Sequence, residues 1–288
     1  METLNEYLAE FYTPQTAKTY KRDIQRFLAE NSEAESYLYK ELVVYAGVLR
    51  KRYRNPSTLN RIITGIKVYY SYLSHTGQRE DNPAASLKLR DKKSRDIQLQ
   101  DLFTAEELES LLESEERYKV LELRNKVLIS LMIYQALSPK ELEALSINDI
   151  DLQKGIISIN ETPKTNKREL PLQVGQILLF HEYISQTRVK LLKDNSCSTL
   201  LLGLNGNAMQ AGEITKHIKR QYGNKFAGRK ITATSIRQSV ICNLLKSGKD
   251  LREVQVFAGH KYISSTEKYK QTDLELLKSE IEKHYPLK

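Results

Sequence analysis

A mainly α-helical protein with one small β-element (α+β), divided into two domains, is what this chain of 288 residues predicts. Three observations lead there. Apolar residues recur at helical spacing in many separate stretches, one short stretch reads as a β-hairpin, and a basic aperiodic segment over 84–100 interrupts the helical pattern.

The first domain, 1–83, reads as a bundle of three or four amphipathic helices. Thr13 followed by Pro14 is a helix start, and Tyr20, Ile24, Phe27 and Leu28 form one stripe of the helix that runs to Asn31. A second helix, Tyr39 to Tyr53, ends in a basic run continuing through Arg54. The third opens at Asn55-Pro56-Ser57 and has the cleanest 3.6-residue period of the chain, with Leu59, Ile62, Ile63, Ile66, Tyr69, Tyr70 and Leu73 inside and Arg61 and Lys67 on its polar side. Asp81-Asn82-Pro83 stops the bundle. The linker 84–100 carries Lys88, Lys92 and Lys93.

The second domain, 101–288, begins with a capping box between Thr104 and Glu107. Its apolar centre is the helix Val127 to Ala136; the next helix starts at Ser138-Pro139-Lys140-Glu141, with Ser138 as N-cap. Two strands are expected, 155–159 and 169–172, joined by a lysine-rich loop from Thr162 to Arg168. Helices follow from Val174 to Leu192 and from Ile214 to Arg220. A terminal helix over 272–285 presents Leu274, Leu277, Ile281 and Tyr285 as an apolar stripe, to pack on its own domain or on a neighbouring copy.

Hydrophobic residues make up 40% of the chain, enough for packed cores, and no apolar run approaches the ~18 residues of a membrane helix. With no signal-peptide profile at Glu2, Asn5 and Glu6, a cytoplasmic protein is expected. Lys and Arg number 45 against 36 Asp and Glu, and the net charge of +9 points to a polyanionic partner such as nucleic acid. Cys197 and Cys242 stand far apart and read as reduced, structural thiols.

The most informative stretch runs from Thr234 to Tyr269. Thr234-Ser235-Ile236-Arg237 is followed by a helix stop at Gly248, a helix start at Asp250 with Glu253, a stop at Gly259, then His260, Ser264 or Ser265 as a further cap, and Tyr269 nine residues beyond the histidine. An arginine, an imidazole and a phenol carried on successive short helices can converge on one phosphate.

This layout resembles the C-terminal signature of the tyrosine recombinases, the phage-integrase and Xer-type family: H-x-x-R, a helix, G-H or G-W, then nine residues to a nucleophilic tyrosine. The resemblance implies a helical core-binding domain ahead of a catalytic domain. It implies double-stranded DNA at specific repeat sites as partner, touched by Arg54, Arg61, Lys67, Lys88, Lys92 and Lys93, and a homo-tetramer on DNA that could be a monomer in solution. No cofactor or metal is needed. The tyrosine oxygen attacks a phosphodiester, forms a 3′-phosphotyrosyl intermediate and frees a 5′-hydroxyl; reversal with another 5′-hydroxyl rejoins the strands in integration, excision, inversion or dimer resolution.

By motif position Tyr269 is the nucleophile, Arg237 the phosphate clamp, and His260 a hydrogen-bond or proton-transfer partner. Lys164, in Pro-Lys-Thr-Asn-Lys-Arg, falls where the pattern G-K-G-x-K-x-R places the general acid, with Lys167 a rival. Two positions depart from the family. Ser138 stands at the arginine of T-G-L-R-x-x-E-L, and Thr234 at the usual histidine, where its hydroxyl could donate to phosphate or cap the helix. Losing one preorganised donor typically costs ~3 to 4 kcal/mol, enough to cripple cleavage unless another cation reaches the phosphate, for which Arg168, Lys167 and Lys230 are the candidates. Two alternatives remain: a family member that binds DNA without cutting it, and a nicking and closing enzyme similar to type IB topoisomerases.

Overall fold

The computed structural model describes residues 3–89, 101–114, 116, 118–193, 197–269 and 281. The chain falls into two compact units, Met1–Arg95 and Asp96–Lys288.

Four α-helices build the first unit: α1 (Leu4–Phe11), α2 (Pro14–Glu30), α3 (Tyr39–Arg52) and α4 (Pro56–His75). Three of these match the periodicity above, with Thr13 and Asn55 at the expected N-caps. Helix α1 was not anticipated; it is set by a reciprocal cap between Thr3 and Glu6. The core lies between α2 and α4, where Ile24, Phe27, Ile66 and Tyr70 are fully buried and Tyr70 donates its hydroxyl proton to the Ala34 carbonyl at 2.6 Å. A Cβ at Gly65 would stand 3.5 Å from the Asp23 Cβ and 3.7 Å from the Tyr20 ring, ordinary van der Waals contact, so the helices meet there without requiring a bare Cα.

Two cations expected on the polar side of α4 are engaged inside this unit. Arg61 pairs with the buried carboxylate of Asp23, since a charge so placed requires a counter-ion. Lys67 donates to the Ala85 carbonyl at 3.0 Å. Arg54 and Lys88 are exposed, while Lys92 and Lys93 lie outside the described residues.

In the second unit, α5 (Ala105–Glu109) opens with the Thr104–Glu107 cap, and α6 (Glu122–Tyr134) runs through the centre with Val127, Leu128, Leu131 and Met132 excluded from solvent. After α7 (Pro139–Ala144) come β1 (Ile150–Asp151), β2 (Ile156–Ile159) and β3 (Arg168–Pro171), an antiparallel sheet in the order β1-β2-β3. The expected hairpin is β2 and β3, in register from Ile156 against Pro171 to Ile159 against Arg168. Strand β1 is an addition that two residues could not announce by alternation. The rest is α8 (Val174–Glu182), α9 (Arg188–Leu191), α10 (Ala211–Tyr222), α11 (Ala233–Lys246) and α12 (Leu251–Ala258), then a helical segment over 264–269. The terminal helix expected over 272–285 lies outside the described residues apart from Ile281. Cys242 is buried and Cys197 half-buried, and the two form no disulfide with each other. Among the described residues no helix is long and apolar enough to cross a membrane.

Between α6 and α7 the chain turns through Ala136, which is fully buried and adopts φ +52°. A left-handed alanine costs roughly 1–2 kcal/mol. The conformation aims the Ala136 carbonyl at the guanidinium of Arg237, which donates to it from Nη1. A β-branched side chain cannot hold this geometry, so Ala136→Val should lower stability by about 2 kcal/mol or more. Ala136→Gly should be near neutral, its relief of strain offset by the lost buried methyl. Urea unfolding of the two variants checks this; a valine variant as stable as the native protein would contradict it.

Candidate active site

Helix α7 begins with a cap that also builds the floor of the site. The Ser138 backbone N–H and hydroxyl both donate to Glu141 Oε2, at 2.8 and 2.7 Å, and the Glu141 N–H returns a bond to Ser138 Oγ at 3.4 Å. The same carboxylate, with no exposed side-chain surface, takes two guanidinium groups. Arg168 Nη1, from the start of β3, lies 2.6 Å from Oε1, and Arg237 Nη1, from α11, lies 3.1 Å from Oε2. Burial pushes the Glu141 carboxyl up, but the two arginines and the Ser138 amide outweigh it and hold it below the usual carboxylate range. It is an anion shared between two cations.

Arg237 is oriented further by the Ala258 carbonyl, which accepts from its Nη2. Helix α11 is capped by Thr232 and not by Thr234: the Thr232 hydroxyl accepts from the Ser235 N–H at 2.9 Å. Thr234 is an exposed residue in the first turn, so the helix starts two residues earlier than its assignment as a cap required.

Gly259 ends α12 in the left-handed conformation, φ +69°. A Cβ at this position would come within 2.4 Å of Arg168 Nη1 and 3.0 Å of its Cζ, so only glycine lets the guanidinium lie against the backbone here. The hairpin loop docks on the same spot: the Asn166 N–H donates to the Gly259 carbonyl at 2.8 Å, and Thr165 forms a β-bridge with His260. This pins the loop bearing Lys164 beside the histidine. The Lys164 and Lys167 side chains are exposed, as is Lys230.

His260 Nδ1 shares a hydrogen bond with Thr266 Oγ1 at 2.8 Å. Burial, with Arg237 and Arg168 nearby, pushes its pKa down to about 4, so the ring is neutral at pH 7. Asp250 is the N-cap of α12 as expected, but it accepts from the Arg252 N–H at 2.8 Å instead of forming a reciprocal capping box with Glu253. Ser264 and Ser265 fall inside the helical segment over 264–269 instead of ahead of it.

Tyr269 is 8% exposed and packs with Ile241, Cys242, Val254 and Ala258, residues of α11 and α12. Burial raises its pKa, against the pull of Arg237 and a hydrogen bond with Gln238. Ala258 links three of these residues: its carbonyl accepts from Arg237 Nη2, Tyr269 packs in the same small core as Ala258, and His260 follows it by two residues, with Arg237 acting electrostatically on both the phenol and the ring. In the sequence Glu141 stands in a helix start and at the glutamate of the T-G-L-R-x-x-E-L stretch, but neither signal names Arg168 and Arg237 as its partners.

Residues 101–275 match the phage integrase family. Along the sequence, the tyrosine recombinase XerD of Halalkalibacterium halodurans is 26% identical over 286 residues, covering 93% of this chain and 94% of that protein. The tyrosine recombinase XerC of Lactobacillus delbrueckii subsp. bulgaricus is 25% identical over 284 residues, covering 96% of this chain and 95% of that one. Among solved structures, the XerH site-specific recombinase bound to palindromic difH substrate, a post-cleavage complex, is similar at a TM-score of 0.71 and 21% identity over 91% of this chain and 78% of that chain. The family match covers more than half of the chain and includes Glu141, Arg168, Arg237, His260 and Tyr269, and on that ground this protein belongs to the phage integrase family of tyrosine recombinases.

Proposed function

We propose that this protein is a site-specific DNA recombinase that cuts and rejoins strands through Tyr269. The observation that supports the reading is the convergence of Arg237, His260 and Tyr269 on the end of α12, where the Ala258 carbonyl holds Arg237 and Tyr269 packs in the same small core as Ala258. In the reaction the phenolic oxygen bonds to phosphorus as the bond to the 5′ oxygen breaks. Arg237 holds the nonbridging oxygens through its planar fork. The neutral His260 ring is able to accept a proton, and Lys164 on the docked hairpin loop gives one to the departing 5′ oxygen. Joining runs the same steps backward with a different 5′-hydroxyl.

DNA is the partner this chemistry requires, and the basic balance of the chain suits it. The first unit serves as the core-binding domain, with Arg54 and Lys88 on its surface. A homo-tetramer at paired sites is the assembly in which two duplexes exchange strands. Action on DNA places the protein in the cytoplasm.

A DNA-binding role without cleavage is the second reading, and Ser138 favours it, because a serine there removes one positive charge from the site. A nicked suicide substrate carrying the native target separates the two. Expected is a denaturation-resistant adduct that vanishes in Tyr269→Phe while DNA affinity is kept; binding with no adduct from the native protein would favour the second reading.

The pH behaviour follows from His260. Its folded pKa of about 4 lies below the ordinary value near 6.5. The unfolded chain therefore binds a proton that the native ring refuses, and stability falls as pH drops from about 6.5 to about 4. Arg237, Arg168, Glu141 and Lys268 are the charged groups acting on the ring. An NMR titration should place its midpoint near 4, and His260→Gln should flatten the acid side of a melting-temperature profile; a midpoint near 6.5 would refute the neutral-ring geometry.

A further inference from the structure

Beside the site lies a guanidinium that the proposed chemistry does not use. The Arg168 side chain is 2% exposed, Nη1 is bound to Glu141, and Nε and Nη2 meet no hydrogen-bond partner among the described residues. A buried arginine with two idle nitrogens is unusual, since such donors are normally satisfied. Yet this one has a cradle made for it: Gly259 carries no Cβ where its guanidinium lies, and the hairpin loop is fastened over the same backbone.

Charge explains the arrangement. With Glu141 paired to Arg237 alone, the pair would be neutral and the field on an incoming phosphodiester weak. Ser138 adds hydrogen bonds to that carboxylate but no charge. Arg168 binds the other carboxylate oxygen, so two arginines and one glutamate sum to one net positive charge beside His260, matching the single negative charge of a phosphodiester. The unshared Nε and Nη2 leave that charge unquenched by any second anion among the described residues.

We propose that Arg168 is the positioning residue that replaces the arginine absent at Ser138: by neutralising Glu141 from the buried side, it frees the positive charge of Arg237 for the scissile phosphate. It acts through Glu141, not by touching the DNA. Lys167 and Lys230, exposed and without a bond to Glu141, do not share this role.

This inference rests on the recombinase reading, and a double-mutant comparison tests it separately. Single-turnover adduct formation on the suicide substrate is measured for the native protein, R168Q, R168K, E141Q and R168Q/E141Q, with DNA affinity and melting temperature alongside. Removing Arg168 alone should slow cleavage about a hundredfold, the usual scale for one lost charge-stabilising group, with DNA affinity within about twofold. R168K should retain more of the rate than R168Q. Removing the carboxylate as well should restore at least tenfold over R168Q, because no anion then competes for Arg237. A double variant as slow as R168Q, or an R168Q protein as fast as the native one, would overturn the proposal. Should R168Q fail to fold, R168Q/E141Q against native carries the comparison: a rate within tenfold supports it, and a loss beyond a hundredfold overturns it. No adduct from the native protein would instead sink the recombinase reading itself.

Discussion

The carboxylate of Glu141 is the point to which the second unit is tied. It joins the first turn of α7, the start of β3 and the middle of α11, three segments remote in sequence, through Ser138, Arg168 and Arg237. Removing one partner of such a buried ion pair costs ~3–5 kcal/mol, because it strands a charge away from water. The attraction is worth having only with every lone pair occupied, and here two arginines and a capping serine occupy them. In the proposed reaction, the atoms that tie α7, β3 and α11 together are also the ones that set the field on the phosphate.

Two backbone features follow from this constraint. Ala136 takes a left-handed conformation and Gly259 another, and each presents a carbonyl or a bare Cα to one of the arginines. Strain of this kind persists where surrounding contacts over-determine it. The guanidinium groups are long and flexible in a free chain, and it is the backbone that fixes them: Arg237 between the Ala136 and Ala258 carbonyls, Arg168 against Gly259. Preorganisation means here that the cost of orienting the cations was met on folding, before any DNA arrives.

Much of this was legible in the sequence because helix signals are local. Thr13-Pro14 and Asn55-Pro56 begin helices where expected, and Gly248, Gly259 and Asp250 mark boundaries in the C-terminal stretch. Where reading failed, a local signal met a tertiary one. Thr234 looked like a cap, but Thr232 with Ser235 made a better one two residues earlier. Arg61 stands on the polar side of its helical stripe as expected, and its pairing with Asp23 of another helix adds a contact of which periodicity says nothing. Strand β1 has two residues, too few to alternate. Arg168 was visible as a candidate cation only; its bond to Glu141 needs the hairpin folded onto α12 before it exists.

The last link is between the histidine and Tyr269, the proposed nucleophile. Thr266, which holds the His260 ring through Nδ1, lies one helical turn before Tyr269 on the segment 264–269 and is itself fully buried. Imidazole orientation and phenol position are therefore set by one short piece of helix. The packing of Tyr269 against Ile241, Cys242, Val254 and Ala258 keeps its oxygen protonated and out of water, since burial raises the phenol pKa. In the proposed reaction the helix that shields the Tyr269 oxygen thus also sets, through Thr266, the ring that would accept its proton.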